Sequence, residues 1–334
     1  MLRAAGKKIM AILVGLGGLF GSAQAARPEA PAQDAPGECR DSAFLQQHPL
    51  TETLRSDPFI IFYTRSGENA PPLDDTTHSG IPDYVKNVEI QLQAANQYYQ
   101  HMLGLTPPLQ QPRYRLAKAI HVYLFNLPRG NGMAFDEVTR VKYDNGRWLP
   151  CALTIRISST LNQPLNPTPA HELFHLYQYG YTQFKVGWML EGMTRWIESA
   201  FSGEIKMSPK LKARPPLEGA ELFALRYSAW PFWQRIATEN YGTITLSPEL
   251  AAMRYLDGHP VFRTTTLPGG EALKPLLIRL QELSEEQSRL ANLPFYRWLE
   301  KLQQSHQFDE DICRAMLTQP LNTATICRRV NASD

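Results

Sequence analysis

The run His171-Glu172-Leu173-Phe174-His175 combines residue types that can bind a metal ion and move a proton. Residues four apart lie on one face of a helix, so both imidazoles can reach a single ion. Zinc binds neutral imidazole nitrogen, and a catalytic zinc keeps one coordination position for water. Glu172, displaced around the helix from His171, is therefore predicted to be the general base that accepts a proton from that water.

A helix must position these side chains, and the sequence before the run predicts where it starts. Thr168 is expected to cap the first turn, and Pro169 suits the first helical position because its nitrogen has no hydrogen to lose. Leu173 and Phe174 are expected to pack the helix into the core.

The third metal ligand must come from elsewhere in the chain, and Glu191 is the candidate. Fifteen residues separate it from His175, enough for the first helix to end, a loop to turn near Gly180 and a second helix to return. Apolar side chains flank Glu191, and a partly buried carboxylate is costly unless it is paired or bound to a metal. Metal ligation and a salt bridge to Arg195 are both open interpretations.

Glu198 lies seven residues after Glu191, on nearly the same helix face. It could accept a hydrogen bond from a ligand histidine and so fix the orientation of the ring. The alternatives are a solvated helix face and a salt bridge to Arg195.

These motifs resemble those of the gluzincins, the zinc peptidases that include thermolysin and the aminopeptidase N family. The spacer in HELFH followed by WMLEGMTRWIE is shorter than in the aminopeptidase pattern and more similar to that of bacterial secreted metallopeptidases with a W-x-x-E-G motif. Residues 80–85 (GIPDYV) resemble a segment of the same proteins. Over residues 58–245 the resemblance implies a zincin-like catalytic domain, one catalytic Zn²⁺, Glu191 as third ligand and a peptide or protein substrate. The aminopeptidase exopeptidase motif is missing, which puts specificity for a free N-terminus in doubt.

Two alternatives to a zinc peptidase stay open. The same residues would serve an exported metal-dependent amidase that acts on cell-wall or other amides. A non-catalytic exported binding protein with a structural zinc would need four protein ligands.

The reaction should also need a hydrogen-bond donor for the oxyanion that forms at the scissile carbonyl. Tyr227 is the first candidate and Tyr241 the second, although either could simply be a core aromatic residue. The strand at 151–157 is a candidate edge for pairing with an extended peptide.

A calcium site is a weaker expectation. Asp74, Asp75 and Asp83 lie near Gly80 in a turn-rich segment, and spaced carboxylates beside glycine can bind Ca²⁺. A plain solvated turn is the more economical interpretation.

Periodicity predicts strands early in the chain and helices late, which indicates an α+β fold with a mixed sheet and a mainly helical C-terminal part. The predicted strands are 58–64, 119–125 and 151–157. The predicted helices are 83–103, the helix that carries the HELFH run, about 187–201, 272–284, 294–305 and 309–318.

The N-terminus predicts export. Lys7 and Lys8 precede an apolar run, and a small-residue site follows, so residues 1–25 are expected to be a signal peptide cleaved after Ala25. Residues 26–57 are expected to be a flexible leader and N-terminal extension, 58–245 a zincin-like metallopeptidase domain and 246–334 a helical C-terminal region. Without the signal segment the formal net charge changes from +2 to −1, which favours neither nucleic acid nor a membrane surface as a partner. A secreted or periplasmic protein without a membrane span is expected.

The four cysteines suggest disulfides in an exported chain. Three pairings are possible. One of them joins Cys39 to Cys151 and Cys313 to Cys327, so that the N-terminal extension is tied to the body and a short C-terminal loop is closed.

Overall fold

A six-stranded mixed sheet is the main β-structure of the computed structural model, which describes residues 39–142, 146–162, 164–203, 205, 219–317 and 327. Its strands are β1 (Arg40–Asp41), β2 (Glu52–Ser56), β3 (Phe59–Tyr63), β4 (Ala119–Phe125), β5 (Gly132–Arg140) and β6 (Ala152–Ser158). They lie in the order β1-β5-β6-β4-β3-β2. Strands β3, β4 and β6 are parallel neighbours, β5 is antiparallel to β6, β2 is antiparallel to β3, and β1 is parallel to β5.

The three inner strands are almost continuous apolar runs, as expected for strands covered on both faces. All of β3 is buried, and in β4 and β6 only Ala119 and Arg156 are partly accessible. The strands predicted at 58–64, 119–125 and 151–157 are each confirmed to within one residue. The expectation that 151–157 is an edge is wrong, because β6 lies between β5 and β4 and pairs on both sides.

Among the described residues, strand β5 has one edge that is unpaired over most of its length. Its partner β1 pairs only with Thr139 and Arg140, at one end. Glycine and asparagine punctuate this segment, a pattern that favours a hairpin or loop over a regular strand.

Some helices lie between the sheet strands in chain order and the rest follow them, and most pack on one face of the sheet. Their bounds are α1 (Ala43–Gln47), α2 (Asp83–Gln97), α3 (Thr168–Tyr181), α4 (Gly187–Ile197), α5 (Ser199–Ser202), α6 (Gly219–Phe223), α7 (Trp230–Asn240), α8 (Pro248–Ala251), α9 (Leu273–Ala291), α10 (Glu300–Gln303) and α11 (Asp309–Met316). A second, two-stranded sheet joins β7 (Ile244–Thr245) to β8 (Thr266–Leu267). The arrangement is compatible with the predicted α+β class.

One helix prediction is largely wrong. Of residues 294–305 only Glu300–Gln303 is helical. Asn292 adopts a left-handed backbone conformation at φ 50° and ends α9. Pro294 then follows two residues later and cannot donate a backbone hydrogen bond to a continuing helix.

The helical layer and one sheet face share a single apolar core. Buried residues from Phe59 in β3 to Met316 in α11 belong to one cluster, and Trp233 and Leu277 contribute to it from the two sides of residue 245. A smaller cluster, with Phe62 and Tyr123 among its members, covers the other face of the sheet.

Two disulfides, Cys39–Cys151 and Cys313–Cys327, form the pairing named above. The first ties the start of the described chain to β6, and the second closes a C-terminal loop. Within the described residues, no helix combines the length and apolar character that a membrane crossing requires. The predicted signal peptide, residues 1–25, lies outside the described part of the chain.

Candidate metal centre

Helix α3 places the two histidines one turn apart on the same face. His171 Nε2 and His175 Nε2 are 3.1 Å apart, and both side chains are buried. The prediction that the HELFH run is helical is confirmed. Thr168 does not cap the helix, since it lies inside the first turn, and Asn166 Oδ1 instead accepts its N–H and hydroxyl at 3.0 and 2.6 Å.

Helix α4 brings Glu191 to the same point. Its Oε2 atom lies 3.3 Å from His171 Nε2 and 3.5 Å from His175 Nε2. These three buried residues supply ligand atoms that all lie within 4.8 Å of one another and could hold a metal ion. The convergence predicted for His171, His175 and Glu191 is therefore present. Helix α3 runs through Gly180 to Tyr181, so the turn between the helices is shorter than expected.

The outer nitrogen of each ring is held by an acceptor. His171 Nδ1 lies 2.6 Å from Glu198 Oε2, and His175 Nδ1 lies 2.9 Å from Gln178 Oε1. Gln178 donates its amide to the Leu190 carbonyl at 3.1 Å, so its oxygen is the atom that faces the ring. Both Nδ1 atoms therefore carry hydrogen, and the Nε2 lone pairs point into the centre.

The atoms that face the centre are all electron-pair donors, so a bound cation would interact favourably with each of them. Two imidazole lone pairs face each other, and Glu191 Oε2 is buried without a hydrogen-bond partner in the described structure. A buried acceptor without a partner is costly, and a bound cation would remove that cost. The chemistry of the donor set, two neutral nitrogens and one carboxylate oxygen, fits a divalent transition metal.

Glu198 accepts a hydrogen bond from the ring of His171, as one of the three interpretations of this residue predicted. It is 3% exposed, which rules out the solvated face, and it also pairs with Arg195. Glu191 instead pairs with Arg226, whose Nη2 lies 2.9 Å from Glu191 Oε1. Burial alone would raise the pKa of Glu191, but when protons occupy the two Nε2 atoms in place of a metal ion, their hydrogen bonds and charge hold it far below its usual value.

Glu172 lies beside the triad without belonging to it. The side chain is buried at 7% exposure, and the Ala134 N–H donates to its carboxylate. Burial raises its pKa, and the nearby imidazoles only partly offset that effect. Gly132 of β5 makes room for it, since a Cβ atom there would lie 2.6 Å from Glu172 Cγ.

Tyr227 stands at the rim of the centre. It lies in a single 3₁₀ turn, is 48% exposed, and its ring centroid is 5.8 Å from that of His171. Burial on its inner side, followed by the charges of Glu191 and Glu172, raises its pKa to about 12, so the hydroxyl keeps its hydrogen. Tyr241 ends α7 and packs against the main core.

No family model, curated protein or solved structure matches this chain. The assignment of the centre therefore depends on its own residues and geometry.

Three contributors to the site were not found from the sequence. Gln178 is three residues after His175 on the same helix, a spacing that could have identified it. Arg226 and Gly132 reach the site only through the tertiary fold, and no local pattern marks them.

Two of the three carboxylates in the segment predicted as a candidate calcium site accept hydrogen bonds from the backbone of that segment. Asp75 accepts hydrogen bonds from the N–H groups of Ser79 and Gly80 at 3.0 and 2.7 Å. Asp83 Oδ2 accepts the Thr76 N–H at 3.0 Å. These contacts describe a hydrogen-bonded turn.

Proposed function

We propose that the protein is a zinc-dependent hydrolase that cleaves peptide bonds, with a zincin-like domain of the gluzincin type. The observation that supports the proposal is that the three residues able to bind a metal and the proposed general base are separate side chains at one centre. His171, His175 and Glu191 converge on one point, while Glu172 remains beside them with its carboxylate close to Gly132 and bonded to the Ala134 N–H of β5. Three protein ligands are the number typical of catalytic zinc sites, whereas structural sites take four.

Zinc is the metal that this donor set favours. Two imidazoles and one carboxylate match the His₂Glu sites of known zinc peptidases. A zinc ion bound there would supply Lewis-acid polarisation of the scissile carbonyl and would lower the pKa of a water molecule at the site. Calcium prefers oxygen donors and would be a poor match for the two nitrogens.

Glu172 acts as general base and then general acid in this proposal. Its carboxylate accepts the proton of the attacking water and later delivers it to the departing amine. Gly132 and the Ala134 N–H fix its position, and burial removes competing solvent. A carboxylate held in this way has one orientation toward the substrate.

Substrate binding is proposed along the open edge of β5. An extended peptide could pair with the part of β5 that β1 leaves free, which passes directly over Glu172. Tyr227 would then donate its hydroxyl hydrogen to the oxyanion, the role predicted for it from the sequence. The exposed position of this tyrosine supports that role over a purely structural one.

Export to a secreted or periplasmic location completes the proposal. The two disulfides fit an oxidising compartment. A peptide or protein is the proposed substrate, and an amidase acting on other amides is the alternative that a substrate panel would distinguish.

The direct test compares the zinc-loaded protein with Glu172→Gln and a control variant, Glu239→Gln, on a peptide library. Glu239 is an exposed residue of α7 that pairs with Arg235. We expect Glu172→Gln to keep its zinc and to lose at least about 100-fold in hydrolysis, the usual contribution of a general base. The control should match the wild type. Full activity of Glu172→Gln would contradict the assigned base, and a zinc-loaded wild type that cleaves no peptide would contradict the peptidase.

A further inference from the structure

A guanidinium group lies directly beside the metal-binding atoms. Arg226 Nη2 is 2.9 Å from Glu191 Oε1, while the other oxygen of that carboxylate faces the two histidines. The Arg226 side chain is nevertheless 68% exposed. Among the described residues Glu191 is its only hydrogen-bond partner, so most of the guanidinium N–H groups remain accessible.

The position of this side chain is fixed by the start of α4. A Cβ atom on Gly187 would lie 2.8 Å from Arg226 Cγ, so the aliphatic stem of Arg226 lies against the helix at a place where only glycine fits. The aliphatic part of Arg226 is packed against the helix, and its guanidinium is already hydrogen-bonded at one nitrogen. The side chain therefore loses little conformational freedom when it binds a further ligand.

A second guanidinium, that of Arg195, also interacts with Tyr227. Arg195 is 35% exposed, pairs with Glu198 and interacts electrostatically with the Tyr227 hydroxyl, as Arg226 also does. Glu172, Glu191 and Glu198 contribute three negative charges. A bound divalent ion and the two arginines contribute four positive charges. The net charge of the site is then positive, which favours an anionic substrate.

We propose that Arg226, assisted by Arg195, binds a carboxylate on a residue adjoining the scissile amide. This inference rests on the proposed function and names its substrate class as peptides with a carboxylate at that point. A single carboxylate group separates the guanidinium from the metal-binding atoms, and consecutive residues of a peptide are about 3.8 Å apart. An adjoining residue therefore spans the gap. Arginine binds carboxylates through two parallel hydrogen bonds, which gives the site its selectivity.

The test measures binding and hydrolysis with matched ligands. One series pairs peptides with a free C-terminal carboxylate and their amides, and a second pairs Asp with Asn next to the scissile bond. A peptide hydroxamate is prepared as acid and as amide, and its affinity for zinc-loaded protein is measured by calorimetry. The proteins are the wild type, Arg226→Ala, Arg226→Lys and the control Arg235→Ala, which removes an exposed arginine paired with Glu239.

We expect the wild type and Arg235→Ala to bind the acid form at least about tenfold more tightly than the amide. In Arg226→Ala that ratio should fall close to one, and Arg226→Lys should retain only part of it. The series that shows the preference identifies the source of the carboxylate, a chain terminus or an acidic side chain.

Two other outcomes separate the proposals. Equal affinity for acid and amide in the wild type would overturn the carboxylate site and leave the peptidase untouched. If Arg226→Ala lowers zinc affinity and weakens both ligands equally, Arg226 only orients Glu191 and the carboxylate site is also overturned. Discrimination in binding without cleavage of any peptide would overturn the proposed function alone.

Discussion

Gly132 and Glu172 are in contact across the boundary between sheet and helix. A methyl group on Gly132 would lie 2.6 Å from Glu172 Cγ and 2.7 Å from its Oε1 atom. The backbone of β5 and the proposed general base therefore occupy fixed positions relative to each other, and the strand to which a peptide could bind runs directly beside that carboxylate.

Replacing Gly132 by alanine tests this contact. The added methyl group must displace the Glu172 side chain, the Thr168 methyl group or the strand, so we expect hydrolysis to fall by at least about tenfold, since small misplacements of catalytic groups are costly. Zinc content should not change, because His171, His175 and Glu191 are on other elements. Met133→Ala is the matched control, since this neighbouring side chain is 51% exposed. Equal loss of activity in both variants would contradict the explanation.

Much of this arrangement follows from local sequence. The inner strands are short apolar runs that only a covered sheet accommodates, and the HELFH spacing places both histidines on one helix face. Glu191 was found because a carboxylate in an apolar helix segment needs a partner. These inferences depend on residues close together in the chain, where periodicity carries the information.

The parts that were missed depend on contacts between distant segments. Gly132 lies in strand β5 where Glu172 comes too close for a larger residue. In the sequence alone this contact is not apparent, and a glycine there indicates a loop. Arg226 follows Glu191 by thirty-five residues, and its contact with Glu191 exists only after α4 and α7 pack together. The sequence also did not indicate that β6 is an inner strand, because a partly alternating pattern of apolar residues fits an edge strand as well as an inner one.

Gln178 is predicted to support the metal through His175. Its side-chain oxygen accepts the His175 Nδ1 hydrogen at 2.9 Å, and supporting contacts of this kind typically contribute 10–100-fold to metal affinity. We expect Gln178→Leu to weaken zinc binding within that range, as measured by competition with a chelator. Gln304→Leu is the control, because among the residues that the structure describes this side chain bonds to exposed Glu300 alone. Unchanged affinity in Gln178→Leu would show that this hydrogen bond does not orient the ring.

Tyr227→Phe removes one hydroxyl and preserves the ring beside His171. If that hydroxyl stabilises the oxyanion, kcat should fall by about 100-fold while KM and zinc content change little. Steady-state kinetics on one good peptide substrate would check this. A loss confined to KM would show that Tyr227 contributes to binding alone, and Tyr241→Phe should behave like the wild type.

His121 provides a pH-dependent stability that is independent of the metal centre. It is buried in β4 with Nε2 unpartnered among the described residues, and burial, with the charge of Arg55, lowers its pKa to about 4. The unfolded chain binds a proton there near pH 6.5, so the free energy of unfolding decreases as the pH falls from about 6.5 to about 4. The loss from this one group is at most about 3 kcal/mol.

Urea unfolding of the wild type and His121→Leu between pH 4 and pH 7 measures this contribution. The difference between the two proteins should change across that interval, with the variant losing less stability on acidification. His259→Ala, which alters an exposed histidine, should follow the wild type. Parallel curves for wild type and His121→Leu would refute the assignment.

The metal centre itself is tested most directly by the zinc stoichiometry of the purified protein and of Glu191→Ala. Convergence of two imidazole nitrogens and the Glu191 carboxylate predicts one tightly bound zinc per wild-type chain, removable by a chelator and restored by zinc. Loss of a ligand in Glu191→Ala should weaken that binding severely. A wild-type chain that takes up no zinc, or a Glu191→Ala chain that binds zinc as tightly as the wild type, would contradict the assignment of the centre.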